Sequence, residues 1–128
     1  MKSEYVLYAD DNLEDIFLLR SSFERYINDL SLECVTGGEE VIDFLIEESD
    51  KKGLPCLIIL DQHMPGITGD DVIKMLKAIP EYREIPIVVF TSSVISTQVA
   101  VHYRILTEEK PIDLDGWKTV IHKLLPSF

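Results

Sequence analysis

The sequence predicts an α/β fold in which a parallel β-sheet carries helices on both faces. Short runs that are apolar at almost every position, such as Leu57–Leu60 and Ile85–Phe90, are typical of strands buried on both faces. Segments with apolar residues at helical spacing separate such runs along the chain. Strands and helices that alternate in this way indicate a parallel sheet, because each helix returns the chain to the same starting edge.

Four segments are clear strand candidates, and a fifth strand is expected to be short or irregular. The first four are Tyr5–Ala9, Leu30–Val35, Cys56–Leu60 and Ile85–Phe90. The fifth begins at Ile105-Leu106, and the polar residues after it, Thr107 to Glu109, are unusual for a buried strand.

Helices are expected between these strands and after the last one. Asn12 and Asp113 are candidate N-caps, and Thr36 with Glu39 has the spacing of a capping box. A short helix is expected within Ile95–Arg104. On each of the other four helices, one set of apolar residues is predicted to face the protein core. In chain order these sets are Ile16, Leu19, Phe23 and Ile27; Val41, Ile42, Leu45 and Ile46; Val72, Met75, Leu76 and Ile79; and Trp117, Val120, Ile121, Leu124 and Leu125.

Composition and charge exclude several classes of protein. With 128 residues, 46% of them hydrophobic and 27% charged, the chain is expected to form one domain, residues 1–128, without an output domain. The net charge of −11 argues against direct binding to nucleic acid, because phosphate contacts require Lys and Arg. No run approaches the roughly 18 apolar residues of a membrane span, and the amino terminus lacks the apolar stretch of a signal peptide. We therefore expect a cytoplasmic protein with no membrane contact.

Four of the five predicted strands end in residues that can carry chemistry. Asp10-Asp11 follow the first strand, Asp61 the third, Thr91 the fourth and Lys110 the fifth. The carboxyl ends of parallel strands lie at one edge of a sheet, where ligands bind in open α/β folds. Three carboxylates, a hydroxyl and an ammonium are therefore expected to meet at this edge.

Three carboxylates in one place repel one another, so the predicted site requires positive charge. Lys110 supplies one cation, and Mg2+ is a natural second because it prefers hard oxygen ligands. With Mg2+ held mainly by Asp11 and Asp61, supported by Asp10, a free oxygen of Asp61 could attack phosphorus and form an aspartyl phosphate. Lys110 would then neutralise the phosphoryl oxygens, and the Thr91 hydroxyl would donate a hydrogen bond to one of them.

This combination of residues resembles the receiver domain of response regulators. The resemblance is carried by Asp10-Asp11, by Asp61, Met64, Pro65 and Gly69 in the pattern DxxMPxxxG, by Thr91 and by Lys110-Pro111. It extends over essentially the whole chain, and it implies a flavodoxin-like sheet with strand order 2-1-3-4-5.

The resemblance also implies a function in two-component signalling. Asp61 would accept a phosphoryl group from a histidine kinase or a histidine phosphotransfer protein, and the signal would pass to a downstream protein that the sequence does not name. Mg2+ would bind Asp10, Asp11, Asp61 and the backbone carbonyl of His63. Such a domain is not an enzyme, although it assists its own phosphorylation and dephosphorylation.

Two departures from the family pattern concern the segment before Lys110. The interval from Thr91 to Lys110 is a few residues shorter than usual, and the usual Gly-Ala pair before the fifth strand is missing. The position that usually holds Tyr or Phe, three residues before the lysine, is Thr107. We therefore predict that the phosphorylation signal does not pass through an aromatic residue at that position.

Two other functions remain alternatives at this stage. One is a pseudo-receiver, an interaction module that phosphate does not switch, and the altered stretch from Ser93 to Glu109 is its support. The other is a Mg2+-dependent phosphohydrolase, which would need an acid/base residue and a substrate cavity or cap. A chain of 128 residues leaves no segment for such a cap.

Overall fold

The computed structural model describes residues 4–92 and 97–125. The strands are β1 Tyr5–Ala9, β2 Ser31–Val35, β3 Leu57–Asp61, β4 Ile87–Thr91 and β5 Leu106–Glu109. The helices are α1 Leu13–Tyr26, α2 Gly38–Lys52, α3 Gly69–Ala78, α4 Gln98–His102 and α5 Leu114–Leu124. The stretch predicted to hold a short helix, Ile95–Arg104, begins outside the described residues, and α4 lies within it.

The strands form one parallel sheet in the order β2-β1-β3-β4-β5. This order confirms the predicted flavodoxin-like α/β fold. The fifth strand has four residues and pairs with β4 from Leu106 opposite Val88 to Glu109 opposite Thr91. The prediction of a short fifth strand is therefore confirmed.

Two layers of helices cover the sheet, because side chains alternate between its faces. Val6 and Tyr8 of β1 pack into a cluster that includes residues of α1 and α5. Leu7 and Ala9 point to the opposite face and join a cluster that includes residues of α2 and α3. The central strands β1, β3 and β4 are thus buried on both faces. None of the helices in the described ranges combines the length and the apolar character that crossing a membrane requires.

Two residues that were expected in the core are exposed. Ile46 of α2 is 63% exposed, and Met75 of α3 is 39% exposed. In α2 the buried stripe ends at Leu45. In α3 the buried stripe includes Ile73 instead of Met75.

The predicted capping box at Thr36 and Glu39 is wrong. The N-cap of α2 is Gly37, so the helix begins one residue later than this pattern requires. The backbone N–H and the hydroxyl of Thr36 instead donate to the carboxylate of Glu40, over 3.2 and 2.9 Å. A true capping box is found at the start of α3, between Thr68 and Asp71.

Candidate functional site

The predicted site residues all lie at the carboxyl edge of the sheet. Asp61 is the last residue of β3 and Thr91 the last residue of β4, while Asp10 follows β1 and Lys110 follows β5. Backbone hydrogen bonds continue past the strand ends. The N–H of Asp10 donates to the carbonyl of Val35 over 3.1 Å, and that of Lys110 to the carbonyl of Thr91 over 2.9 Å. The sheet itself therefore positions these residues.

Three carboxylates form the centre of the site. One ligand oxygen each from Asp10, Asp11 and Asp61 lies within 4.8 Å of the other two. Asp10 is fully buried and Asp61 is 6% exposed, whereas Asp11 faces solvent. Burial, together with the negative charge of Asp10, raises the pKa of Asp61 from 3.8 to about 6, against the opposing effect of Lys110. Its surroundings therefore disfavour the ionised form of Asp61.

Lys110 is the cation that faces these carboxylates. Its Nζ lies 2.7 Å from Asp10 Oδ2, 2.7 Å from Asp15 Oδ2 and 3.4 Å from Asp61 Oδ2. Burial alone would lower the pKa of Lys110, but hydrogen bonds to Asp10 and Asp15 and the nearby negative charges raise it above its usual value. Lys110 is therefore charged at neutral pH and is held mainly by Asp10 and Asp15.

Thr91 and His63 lie beside this cluster. Thr91 is 4% exposed, and its carbonyl accepts the hydrogen bond from Lys110 that joins the two strand ends. His63 is exposed, and its backbone N–H makes a long hydrogen bond of 3.4 Å to Asp61 Oδ1. The side chain of His63 is thus exposed close to Asp61 and lies outside the buried centre of the site.

Comparison with known proteins identifies the family. A family model described as the response regulator receiver domain matches residues 6–107. The chain belongs to this family. Receiver domains of this kind are signalling domains of two-component systems rather than classical enzymes.

Individual relatives agree with this assignment. The probable methanogenesis regulatory protein FilR2 of Methanothrix harundinacea is 30% identical over 89 residues, which are 69% of this chain and 57% of FilR2. The two-component response regulator ARR8 of Arabidopsis thaliana is 30% identical over 112 residues, covering 75% of this chain and 48% of ARR8. The receiver thus spans about half the length of these curated relatives.

Solved structures support the fold. The Mn(2+)-bound form of response regulator Rcp1 superimposes with a TM-score of 0.83 at 22% identity, covering 98% of this chain and 96% of that chain. The bacteriophytochrome response regulator RtBRR gives a TM-score of 0.78 at 25% identity, covering 96% and 78%.

Asp15 is a member of this receiver's site that the sequence pattern did not reveal. It lies in the first turn of α1, where an acidic residue is adequately explained by the helix dipole. Asn12 caps this turn, and its side chain accepts hydrogen bonds from the N–H groups of Glu14 and Asp15. The cap leaves the Asp15 carboxylate available for Lys110.

Tyr8 is the second residue that was missed. Its hydroxyl donates a hydrogen bond to Asp10 Oδ2, and both side chains are fully buried. The ring of Trp117 meets the Tyr8 ring edge-on at 5.9 Å and the Phe90 ring at 5.2 Å. Residues two apart on a strand share one face, so the spacing of Tyr8 and Asp10 was an available signal.

Gly69 allows α3 to begin directly against the end of β3. A Cβ atom at this position would lie 2.9 Å from the carbonyl oxygen of Asp61 and 3.3 Å from the Cα of Gln62. Any side chain here would therefore push against the backbone that carries Asp61. This close approach explains the glycine at the end of the DxxMPxxxG pattern.

Proposed function

We propose that this receiver accepts a phosphoryl group on Asp61 with the help of Mg2+. The observation that carries the proposal is the cluster of Asp10, Asp11 and Asp61, with Lys110 beside it, at the carboxyl edge of the sheet. At neutral pH, above its pKa of about 6, the Asp61 carboxylate is mostly ionised and able to act as a nucleophile.

The donor atoms of the cluster suit Mg2+. The three carboxylates of the cluster share the Lys110 ammonium with a fourth, that of Asp15. A divalent cation would therefore relieve their repulsion, and Mg2+ prefers oxygen ligands. Asp10, Asp11, Asp61 and the backbone carbonyl of His63 are the proposed ligands. When bound, Mg2+ supplies positive charge that neutralises the oxygens of the transferred phosphoryl group.

The remaining roles belong to residues at the adjacent strand ends. A carboxylate oxygen of Asp61 forms the new bond to phosphorus, and the bond from phosphorus to the donor's histidine nitrogen breaks. Its electron pair stays on that nitrogen, which then takes up a proton. Lys110 donates hydrogen bonds to the phosphoryl oxygens, and the Thr91 hydroxyl donates to another of them.

The proposed partners follow from the family. The donor is a histidine kinase or a histidine phosphotransfer protein, and the phosphorylated receiver docks to a downstream protein. Thr107 lies half-buried on β5, opposite Val89 of β4. Because Thr107 has no ring that could change its position, we propose that output does not depend on an aromatic residue there.

Intact-mass measurement after incubation with acetyl phosphate and Mg2+ tests the proposal. We expect a single phosphoryl group per chain that is lost slowly, and no labelling when EDTA removes the metal. A folded protein that takes up no phosphoryl group would instead be a pseudo-receiver. Rapid release of inorganic phosphate over many turnovers would indicate a phosphohydrolase.

Asp11→Asn is expected to weaken Mg2+ binding by about tenfold or more, because it removes one of few carboxylate ligands. Asp11 is exposed, so the substitution should leave the free energy of unfolding nearly unchanged. Isothermal titration with Mg2+ measures the change. Glu14→Gln is the matched control, since Glu14 is an exposed carboxylate in the first turn of α1. Equal Mg2+ affinities of Asp11→Asn and wild type would rule out this role for Asp11.

His63→Ala is expected to change the lifetime of the phosphorylated protein more than its rate of phosphorylation. The exposed side chain beside Asp61 can hinder or orient the water that hydrolyses the aspartyl phosphate. Mg2+ affinity should not change, since alanine keeps the backbone carbonyl. Decay of the label, followed by mass spectrometry, is the measurement. The control is His102→Ala, since His102 is an exposed histidine on α4. Identical lifetimes of wild type, His63→Ala and His102→Ala would show that the His63 side chain has no effect on hydrolysis.

A further inference from the structure

The Asp10 carboxylate accepts hydrogen bonds from three groups. The Tyr8 hydroxyl and the Lys110 ammonium both donate to Oδ2, the ammonium over 2.7 Å. The backbone N–H of Asn12 donates to Oδ1 over 2.9 Å. One oxygen of a fully buried carboxylate is thus shared between a tyrosine and the lysine of the site.

These two donors differ in their freedom to move. Tyr8 is the penultimate residue of β1, is fully buried, and packs edge-on against Trp117, which is itself fully buried. Lys110 lies just after β5, and its side chain is 18% exposed. The tyrosine hydroxyl is therefore fixed on Asp10, whereas the lysine can move its long side chain.

Lys110 contacts Asp10 and Asp15 more closely than it contacts Asp61, the residue that it is proposed to serve. An ammonium has three N–H donors, and its two short contacts are to Asp10 and Asp15, while the contact to Asp61 is longer at 3.4 Å. A phosphoryl group on Asp61 must draw Lys110 towards itself against the attraction of Asp10. The strength of the Asp10–Lys110 pair therefore opposes the contact that stabilises the phosphoryl group.

We propose that Tyr8 is a positioning residue that acts on Lys110 through Asp10, an inference that rests on the proposed function. The Tyr8 hydroxyl donates to Asp10 Oδ2 and so satisfies part of the hydrogen-bonding capacity of that oxygen. Asp10 therefore holds Lys110 less tightly. When Lys110 moves towards the phosphoryl group, Tyr8 keeps the buried oxygen hydrogen-bonded. Tyr8 thus makes Lys110 available at Asp61.

Tyr8→Phe removes the hydroxyl and keeps the ring that packs on Trp117. We expect the rate of labelling by acetyl phosphate at saturating Mg2+ to fall about fivefold, because Asp10 then holds Lys110 more tightly. The Mg2+ concentration for half-maximal rate should change less than the maximal rate does, because Tyr8 contacts the proposed ligand Asp10 only at Oδ2, the oxygen that Lys110 shares. A half-maximal concentration that rises while the maximal rate is unchanged would show that Tyr8 serves the metal ligand, and would overturn the inference.

Tyr5→Phe is the matched control. Tyr5 is also buried on β1, and its hydroxyl donates to the carbonyl of Gly53 over 2.7 Å, at the opposite end of the strand from Asp10. Both variants lose a buried hydroxyl, so urea unfolding should report similar losses of stability, whereas only Tyr8→Phe should label slowly. Equal labelling rates in Tyr8→Phe and wild type, or equally reduced rates in both variants, would overturn the inference.

A double-mutant cycle with Lys110→Met separates positioning from general damage to the fold. If Tyr8 acts through Lys110, adding Tyr8→Phe to Lys110→Met should not slow labelling further. A further fivefold fall in the double variant would contradict this. A wild-type protein that takes up no phosphoryl group would instead refute the proposed function, so the two failures are distinguishable.

Discussion

Asp61→Asn is expected to abolish labelling by acetyl phosphate, since an amide cannot replace the carboxylate as the nucleophile. Intact-mass measurement at saturating Mg2+ gives the result directly. The control is Asp29→Asn, an exposed carboxylate in the turn before β2, which should label like wild type. Stoichiometric labelling of the Asp61→Asn protein at another residue would refute the assignment of Asp61.

The same substitution is expected to stabilise the metal-free protein. The folded-state pKa of Asp61, about 6, lies above its ordinary value of 3.8, so between these values the folded protein binds more protons than the unfolded chain. The contribution of Asp61 to the free energy of unfolding therefore falls as pH rises through this window. Asparagine does not ionise, so Asp61→Asn should gain on the order of 2 kcal/mol over wild type near neutral pH.

Urea unfolding in EDTA, repeated from about pH 4 to about pH 7, tests this pH dependence. The stability difference between Asp61→Asn and wild type should be small at the acidic end and grow with pH. Asp29→Asn should show no such trend. A difference that does not depend on pH would mean that the Asp61 carboxylate is not strained by its burial beside Asp10.

Lys110→Met is expected to destabilise the metal-free protein by about 3 kcal/mol, the usual cost of removing one partner from a buried ion pair. Without the ammonium, Asp10, Asp15 and Asp61 face one another with no neutralising charge from this position. Saturating Mg2+ should recover a large part of the loss, because binding to the folded state alone stabilises it.

Urea unfolding in EDTA and in Mg2+ provides the measurement. Lys52→Met is the matched control, since Lys52 pairs with Glu33 over 3.2 Å at the surface and should cost less than about 1 kcal/mol. A loss for Lys110→Met that is equally large with and without Mg2+ would show that Lys110 supports the fold by packing rather than by charge.

Much of the site was predictable because it depends on local pattern. Strands β1, β3 and β4 are recognisable as apolar runs, and the residue that ends or follows each run marks the carboxyl edge of the sheet. Asp61 and Thr91 lie at the ends of β3 and β4, and Asp10 and Lys110 directly follow β1 and β5. Parallel topology then brings together residues that are far apart in sequence.

The missed residues depend on side-chain geometry that the pattern does not contain. Asp15 contacts Lys110 because the first turn of α1 lies close to the end of β5. The sequence did not point to this contact, because the helix dipole already explains an acidic residue in the first turn. The prediction of a capping box at Thr36 failed because it also considered local spacing alone. Thr36 and Thr68 each precede an acidic residue by three positions. However, α2 begins one residue later than the Thr36 pattern requires, at Gly38, which packs against Ile67 and Val72.

Trp117 gives this receiver an internal fluorophore at an informative place. It is the one tryptophan of the chain, it is fully buried, and its ring contacts both Tyr8 and Phe90. Tyr8 leads to Asp10 through a single hydrogen bond, and Phe90 directly precedes Thr91. Tryptophan emission therefore originates in a ring that contacts Tyr8, the hydrogen-bond donor to Asp10, so events at the carboxyl edge can be followed optically in the unlabelled protein.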